Sequence, residues 1–255
     1  MIFDSHCHLN DDALFFHLED HITRAKNANV SNLLVIGIDV ESSRRAIKIA
    51  EEHSFIYAAV AIHPNELMNQ KPGDFEIIEQ LVTHPKVVAV GEIGLDYHWK
   101  NTPIDVQKDF FLKFLNLANK IKKPVIIHTR ESLDDTFDFL NTNAEILNGG
   151  VMHCFSGNAN MARKFIELGF KIGLGGPLTF KNAKETKQVA QLIDIKHLLV
   201  ETDAPYLAPH PFRGKLNEPA LITHVVDELA KIKNLEYQEV ASITAKNAKK
   251  LFGIK

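Results

Sequence analysis

The sequence predicts an α/β protein, a (β/α)8 TIM barrel whose functional site lies at the C-terminal mouth of the strands. Eight short apolar runs alternate with segments of helical periodicity, as expected when helices cover both faces of a parallel sheet. The length of 255 residues fits either two small domains or one such barrel, which typically needs about 250. A doubly wound open sheet is the alternative that the same alternation permits.

The apolar runs that we assign to strands lie at residues 2–4, 32–38, 56–62, 87–91, 125–128, 150–153, 171–173 and 197–201. Two helices between them are especially well marked. One is predicted to begin with Thr102 as N-cap, Pro103 at the first helical position and Asp105 as a capping acid. The other spans residues 160–168 and is predicted to stop at Gly169.

Composition and charge narrow the class of protein. The formal net charge is −3 at pH 7, unlike the basic surface of a dedicated DNA-binding domain, so an anionic partner would have to be attracted locally. No secretory signal pattern opens the chain, and no apolar run reaches the roughly 20 residues that cross a bilayer. We therefore expect a cytoplasmic protein without membrane association. Two cysteines, Cys7 and Cys154, are too few for a disulfide scaffold.

The segment from residue 204 to residue 219 is the longest stretch without a helical or strand pattern. It contains four of the ten prolines of the chain, Pro205, Pro209, Pro211 and Pro219. Long loops inside compact domains are usually functional or disordered. Because this loop follows the last predicted strand, where barrel enzymes build their active sites, we expect it to serve function.

Metal-ligating side chains follow the apolar runs at several predicted strand ends. In an extended strand, His6 and His8 point to the same side and Cys7 points to the other. Comparable residues stand at or after five other strands, namely His63, Glu92, His128, His153 and the pair Glu201 and Asp203. Each of them alone could be a satisfied structural residue. In a parallel barrel, however, all of these strand ends meet at one face.

Such a convergence of histidines and carboxylates predicts a metal centre, because burying this much polarity without compensation is costly. A single catalytic zinc usually takes three protein ligands, so the set is too large for one ion. Two divalent ions bridged by a carboxylate fit the set better, since such a pair activates a water and polarises the substrate. The expected reaction is hydrolysis of a phosphoester or an amide.

The motifs that contain these residues resemble the TatD family of metal-dependent hydrolases, which are amidohydrolase-like barrels. They occur in the order and at the spacing of that family: FDSHCH at 3–8, AIHP at 61–64, VGEIGLDY at 90–97, VIIHTRE at 125–131, HCFSG at 153–157, ETDAPYL at 201–207, RGK at 213–215 and NEP at 217–219. These motifs run along the whole chain, so the resemblance implies a single TatD-like hydrolase domain over residues 1–255.

The resemblance also implies a role for each candidate residue. The first metal is expected to be held by His6, His8 and Asp203, the second by His128 and His153, with Glu92 bridging the two. Glu92 and Asp203 are therefore the expected catalytic residues. Four more residues are expected to orient ligands or to bind substrate, namely His63, Arg130, Glu201 and Arg213.

The activity implied by the resemblance is that of a deoxyribonuclease, which cleaves phosphodiester bonds at DNA ends with two divalent metal ions. An ester or amide hydrolase such as a D-aminoacyl-tRNA deacylase is the alternative. A degenerate barrel without catalysis is disfavoured, because the ligand set is complete. Mg or Mn is the expected ion in function, although imidazole-rich ligand sets also suit Zn. No obligate protein partner is indicated.

Arg213 bears on the choice between these activities. It lies in the loop after the last predicted strand, and the planar fork of a guanidinium suits phosphate oxygens. An ion pair with Glu218 is the alternative interpretation of this arginine.

Overall fold

The computed structural model describes residues 1–255 and contains eight strands and ten α-helices. The strands are β1 (Ile2–Cys7), β2 (Val30–Ile36), β3 (Ile56–Val60), β4 (Val87–Asp96), β5 (Val125–Arg130), β6 (Gly150–Met152), β7 (Phe170–Leu174) and β8 (Leu198–Val200). The helices are α1 (Asp12–Phe15), α2 (Leu18–Asn27), α3 (Val40–Glu52), α4 (Asp74–Leu81), α5 (Ile104–Ile121), α6 (Leu133–Thr142), α7 (Ala159–Glu167), α8 (Lys184–Leu192), α9 (Ile222–Lys233) and α10 (Tyr237–Phe252).

All eight strands are parallel and pair in chain order from β1 to β8. The two edges of the sheet meet through the segment that follows β8. There the Asp203 amide donates to the His6 carbonyl at 2.9 Å, and the His8 amide donates to the Ala204 carbonyl at 2.7 Å. The sheet is therefore a nearly closed barrel, which confirms the predicted (β/α)8 class and excludes the open doubly wound sheet. The C-terminal ends of all strands surround one mouth.

Apolar side chains form two separate cores. The larger core fills the layer between the strands and the surrounding helices. The smaller core occupies the N-terminal half of the barrel interior, where Phe3, Ile126 and Leu199 meet Phe252 of α10. The rings of Phe3 and Phe252 lie 6.1 Å apart. Because α10 closes this end with apolar side chains, polar side chains are confined to the opposite, C-terminal end of the interior.

β1 and β4 extend furthest beyond the apolar runs that predicted them. β1 continues beyond Asp4 to Cys7, and β4 continues beyond Gly91 to Asp96. Both extensions still pair with the neighbouring strand, although each contains polar residues. A polar strand end is stable here because it keeps its ladder hydrogen bonds and lies at the C-terminal mouth rather than in the apolar core.

The predicted start of α5 was wrong by one residue. Pro103 rather than Thr102 is the N-cap residue, and no side chain caps this helix. Gln107 instead connects the helix to β4, since its Nε2 donates to the carbonyls of Asp96 and Thr102 at 2.9 and 3.0 Å. A tertiary contact therefore fixes the helix start, and local capping rules could not reveal it.

The end of α7 agrees with the prediction. Leu168 is the C-cap residue, and Gly169 follows it with a φ of +90°, a conformation that favours glycine. The helix begins slightly earlier than predicted, after Asn158, whose side chain accepts a hydrogen bond from the Met161 amide. In the whole structure, no helix combines the length and the apolar character required to cross a bilayer.

Candidate metal centre

An irregularity in β1 turns its polar residues toward the barrel interior. Asp4 pairs with Leu33 and Cys7 pairs with Val35, so β1 carries one more residue than β2 over this interval. His6 and His8 consequently point into the mouth, with their Nε2 atoms 3.2 Å apart. Cys7 belongs to the outer core, as the alternation predicted.

Glu92 lies at a similar irregularity in β4. Val90 pairs with Val125 but Ile93 pairs with Ile127, so one extra residue is accommodated here. Gly91 permits the close approach of β5, because a Cβ at this position would lie 2.6 Å from Cβ of Ile126. The Glu92 side chain is thereby directed into the mouth, where it is 3% exposed.

Six side chains predicted as metal ligands converge in the mouth. Asp203 Oδ1 lies 3.7 Å from His6 Nε2, 3.4 Å from His8 Nε2 and 3.5 Å from His153 Nε2. The two oxygens of Glu92 face different sides: Oε2 lies 3.4 Å from His6 Nε2, whereas Oε1 lies 2.7 Å from His128 Nδ1. Glu92 thus lies between the β1 histidines and the β5 histidine, as a bridging carboxylate would.

Acceptor atoms behind two of the rings leave their nitrogens in the mouth free for a cation. His8 Nδ1 lies 3.1 Å from the Ile36 carbonyl, and His153 Nδ1 lies 3.0 Å from Glu201 Oε1. Both partners can only accept, so both Nδ1 atoms carry a proton and the Nε2 atoms are the ligating candidates. The donor set of imidazole and carboxylate therefore fits divalent cations.

Glu201 is fully buried behind His153. Besides that contact, it accepts a hydrogen bond from the Cys154 amide at 2.5 Å. Gly173 provides the space for it, because a Cβ there would lie 2.6 Å from Glu201 Oε2. Glu201 thus lies against His153, a candidate metal ligand, and its role in orienting that ring stays a prediction.

Electrostatics in the mouth keep the carboxylates charged and several rings protonated when no cation is bound. Burial raises the pKa of Glu92, but His153, His6 and His128 outweigh it, so the pKa lies well below its usual value. Burial lowers the pKa of His128, yet Asp96 and Glu92 raise it to about 9. Burial likewise opposes protonation of His153, but Glu201, Asp203 and Glu92 raise its pKa to about 10.

Asp96 is a component of the site for which the sequence predicted no role. Its Oδ2 lies 2.9 Å from His128 Nε2, and its Oδ1 accepts hydrogen bonds from the His98 and Trp99 amides at 3.0 Å each. Asn65 Nδ2 donates to Oδ2 at 3.1 Å. The position of Asp96 within the GLDY segment gave a signal, since it continues the strand that carries Glu92.

His63 lies at the edge of the metal centre. Its Nε2 is 3.8 Å from Glu92 Oε1, and its ring meets the His128 ring edge-on at 4.4 Å. Burial and the neighbouring His128 lower its pKa to about 3, so the ring is neutral. His63 could be grouped with Glu92 and His128 as a cation-binding set by distance alone.

The two candidate arginines lie outside this cluster, at the rim of the mouth. The Arg130 guanidinium is 5.5 Å from the centre of the Trp99 ring, and that of Arg213 is 4.3 Å from the Phe180 ring. Arg213 does not pair with Glu218. The Glu218 carboxylate instead forms ion pairs with Arg24 and His21, each at 2.6 Å. The alternative interpretation of Arg213, an ion pair with Glu218, is therefore wrong.

The ring of Tyr206, within the ETDAPYL motif, is an exposed part of the rim for which the sequence predicted no role. Tyr206 is 53% exposed, and its ring lies 6.0 Å from that of His8. The hydroxyl donates to Asp11 Oδ2 at 3.0 Å, which holds the ring at the opening. A substrate approaching the metal centre would therefore meet an aromatic surface first.

The sequence profile of the family described as TatD related DNase matches residues 3–253. The chain belongs to this family. The metal-dependent hydrolase YabD of Bacillus subtilis is 44% identical over 254 residues, which cover 100% of both chains. The metal-dependent hydrolase TatD of Mycobacterium tuberculosis is 37% identical over 238 residues, 91% of this chain and 90% of that one.

Solved structures of TatD proteins superimpose along the whole chain. The TatD homologue YjjV of Escherichia coli K12 has a TM-score of 0.94 at 32% identity, covering 100% of this chain and 98% of that one. A TatD family hydrolase of Entamoeba histolytica has a TM-score of 0.89 at 21% identity and shares the fold, over 98% and 97% of the two chains. This TatD-family chain is accordingly a metal-dependent hydrolase, with histidine and carboxylate groups arranged to bind metal.

Proposed function

We propose that this protein is a deoxyribonuclease that cleaves phosphodiester bonds at DNA ends, using two divalent cations and a water nucleophile. His6, His8 and Asp203 would hold one cation, and His128 and His153 the other. Glu92 would bridge them, since its two oxygens face the two halves of the cluster. Mg or Mn is the proposed ion in function, and Zn is a further candidate because the ligand set is rich in imidazole.

Two cations held in this way would lower the pKa of a water and offset the negative charge of the phosphate. The protein side chains supply position and proton transfer. Glu92 is almost fully buried and fixes the spacing of the centre, whereas the Asp203 side chain is 13% exposed toward the mouth. Asp203 is therefore the carboxylate placed to accept a proton from the attacking water.

The observation that favours a nucleic acid over a small ester is the exposed Tyr206 ring beside His8. Aromatic side chains next to a phosphate-binding centre provide stacking surfaces for bases, worth about 1–3 kcal/mol per base. Two further aromatic and cationic pairs lie at or after the C-terminal ends of strands, namely Trp99 with Arg130 and Phe180 with Arg213. These local groups supply the attraction that the net charge of −3 does not.

The direct test is a substrate panel with metal control. Chelation should abolish cleavage of single-stranded DNA, and Mn or Mg should restore it. RNA, D-aminoacyl-tRNA and bis(p-nitrophenyl) phosphate complete the panel. Release of the amino acid from D-aminoacyl-tRNA without cleavage of any DNA would overturn the nuclease proposal and favour the deacylase.

The stacking surface is tested with Tyr206→Ala. We expect KM for single-stranded DNA to rise about tenfold or more, because one base can no longer stack, while turnover of bis(p-nitrophenyl) phosphate stays close to normal. Leu192→Ala is the matched control, since Leu192 is 52% exposed at the end of α8 on the opposite face. Equal effects of Tyr206→Ala on both substrates would contradict stacking.

Arg213 is tested through the salt dependence of binding. In a catalytically stalled background, Arg213→Ala should weaken oligonucleotide binding and reduce the salt slope by about one for each phosphate that the guanidinium neutralises. Metal content should stay the same, because a guanidinium does not ligate cations. Identical slopes and affinities in the two proteins would remove Arg213 from the substrate site. The cytoplasmic location remains part of the proposal and is checked by fractionation of cells.

A further inference from the structure

His63 differs from the neighbouring histidines in the hydrogen bond behind its ring. The backbone amide of Asn65 donates to His63 Nδ1 at 3.1 Å. A backbone N–H can only donate, so Nδ1 must accept through its lone pair. An imidazole with an unprotonated Nδ1 is neutral and carries its single proton on Nε2. His63 therefore presents an Nε2–H group to the mouth.

Two of the metal-ligand candidates, His8 and His153, have acceptors behind their rings instead of a donor. Behind His8 and His153 stand the Ile36 carbonyl and the Glu201 carboxylate, both acceptors, so the proton stays on Nδ1. Their Nε2 atoms can therefore offer a lone pair to a cation. The His63 Nε2 cannot offer a lone pair to a cation while the Asn65 amide donates to Nδ1. By distance alone, His63, Glu92 and His128 could share a cation.

We propose that His63 is a hydrogen-bond donor to the substrate and not a metal ligand, its Nε2–H contacting a non-bridging oxygen of the scissile group. This inference rests on the proposed phosphodiester hydrolysis and assigns His63 a catalytic role in it. The oxygens of a phosphoryl group gain or redistribute negative charge in the transition state, and a preorganised donor stabilises them there. Only a proton-bearing nitrogen can do this.

The surroundings of His63 hold the ring in place for such a role. Asn65 uses its backbone amide for His63 and its side-chain amide for Asp96, at 3.1 Å each. Asp96 in turn contacts His128, which contacts Glu92. The donor is thereby connected to the bridging carboxylate through a continuous set of contacts, and its Nε2 lies 3.8 Å from Glu92 Oε1.

The protonation pattern can be measured without any substrate. Long-range proton–nitrogen NMR of the zinc-loaded protein distinguishes the two neutral forms of each ring. We expect Nε2–H for His63 and Nδ1–H for His8 and His153. His84 gives an internal reference, because it accepts a hydrogen bond from the Lys86 amide at 3.2 Å in the same way. An unprotonated His63 Nε2 would overturn the assignment.

Two substitutions separate donation from ligation. The side-chain amide of His63→Gln can place an N–H near the position of Nε2, whereas His63→Leu offers none. Both should retain the wild-type metal stoichiometry. His63→Leu should lower kcat about 100–1000-fold with little change in KM, the usual effect of removing one donor to a developing charge, and His63→Gln should recover at least tenfold of that decrease.

A histidine outside the mouth serves as the control for the His63 substitutions. His84→Leu removes a histidine with the same backbone contact from the loop before β4, on the opposite face, and should leave kcat and metal content unchanged. Loss of a metal ion in His63→Leu, or equal rates of the Leu and Gln variants, would overturn the proposal. If the enzyme hydrolyses an ester and not DNA, the same ratios are measured on that ester, so failure of the nuclease assignment stays distinguishable.

Discussion

Individual side chains in the mouth are specialised by what stands behind them. Glu92 is surrounded by four imidazoles, with its oxygens 2.7 Å from His128, 3.4 Å from His6, 3.8 Å from His63 and 4.0 Å from His153. Without a cation its negative charge is balanced by protonated rings. With cations bound, the same carboxylate would hold both at a fixed separation.

Replacing Glu92 should therefore change metal stoichiometry and not only the rate. Glu92→Gln keeps the shape but removes the charge that two cations would share, so we expect fewer than two ions per chain and a loss of activity of at least about 100-fold. Elemental analysis after gel filtration measures the ions. Glu131→Gln, at an exposed glutamate paired with His98, is the control. Full metal content in Glu92→Gln would refute the bridge.

Metal binding should release protons at neutral pH. The pKa values of His128, about 9, and His153, about 10, lie above 7 in the cation-free protein, so each ring must lose a proton before it ligates. Apparent affinity should rise with pH by about tenfold per unit for each proton released, and level off above about 9–10. Calorimetry in buffers of different ionisation enthalpy counts these protons. A count of zero at pH 7 would contradict the prediction.

The same two pKa values affect the folding stability of the cation-free protein. Both pKa values are raised above the ordinary histidine value of 6.5. The stabilisation from these charged pairs is therefore fully present below about pH 6.5 and is lost as pH rises through 9 and 10. Cations act in the opposite direction, because they bind more tightly as pH rises.

At this scale, the sequence revealed the residues at strand ends but not the contacts that specialise them. His6 and His8 were found because they alternate in the polar segment after the first apolar run, and Glu92 because it directly follows a run. Asp96 received no role: the GLDY segment places it further along the strand of Glu92, but its contact with His128 depends on how β5 lies beside β4. The Nδ1 contact of His63 was equally hidden, because it depends on how the backbone turns at Asn65.

At the scale of elements, the segment after β8 is held by one buried asparagine. The side-chain Nδ2 of Asn217 donates to the carbonyls of Thr202 and Tyr206 at 2.8 and 2.6 Å. The backbone amide of Asn217 donates to the Pro205 carbonyl at 3.0 Å. The turn enclosed by these bonds contains both Asp203 and Tyr206. A single side chain thus positions a metal-ligand candidate and the aromatic rim together.

Asn217→Ala should weaken metal binding as well as stability. Loss of the amide leaves buried carbonyls without donors, at a cost of about 1–3 kcal/mol. Asn247 provides the matched control, because its Nδ2 bridges the carbonyls of Ile195 and Leu198 in the same manner at the start of β8. Asn247→Ala should lower Tm similarly yet leave metal affinity intact. Equal metal affinity in both variants would show that Asn217 is merely structural.

The prediction that the loop from 204 to 219 serves function stays a prediction, whereas the predicted start of α5 was wrong. The loop from 204 to 219 was expected to serve function from its length, its prolines and its place after the last strand, and it carries Tyr206 and Arg213 at the rim. The start of α5 was misplaced, because Gln107 bonds across to Asp96. Composition and chain order report on where a loop lies, whereas a helix boundary can depend on one distant partner.

At the scale of the whole molecule, the barrel interior is divided along its axis. The N-terminal half is apolar and closed by α10, while the C-terminal half contains the histidines and carboxylates. β1 crosses the division, with Phe3 in the apolar half and His6 in the polar half. At about 3.3 Å per residue, these two positions are roughly 10 Å apart along the strand.

This division predicts that the two halves contribute to stability independently. Phe252→Ala removes a ring that packs at 6.1 Å from Phe3 and is 5% exposed, at a cost of about 3–5 kcal/mol. Cation removal acts at the other end, where binding at 100 times Kd stabilises the fold by about 2.7 kcal/mol.

The effects on unfolding free energy of two changes more than about 7–10 Å apart usually add to within about 0.5 kcal/mol. The decrease in unfolding free energy on chelation should therefore be the same in wild type and Phe252→Ala. Denaturant unfolding of both proteins, with and without chelator, measures the four values. Metal affinity of the variant should stay at the wild-type level. A chelation effect that shrinks markedly in Phe252→Ala would mean that the apolar half holds the β1 histidines in place, and would contradict the independence of the two ends.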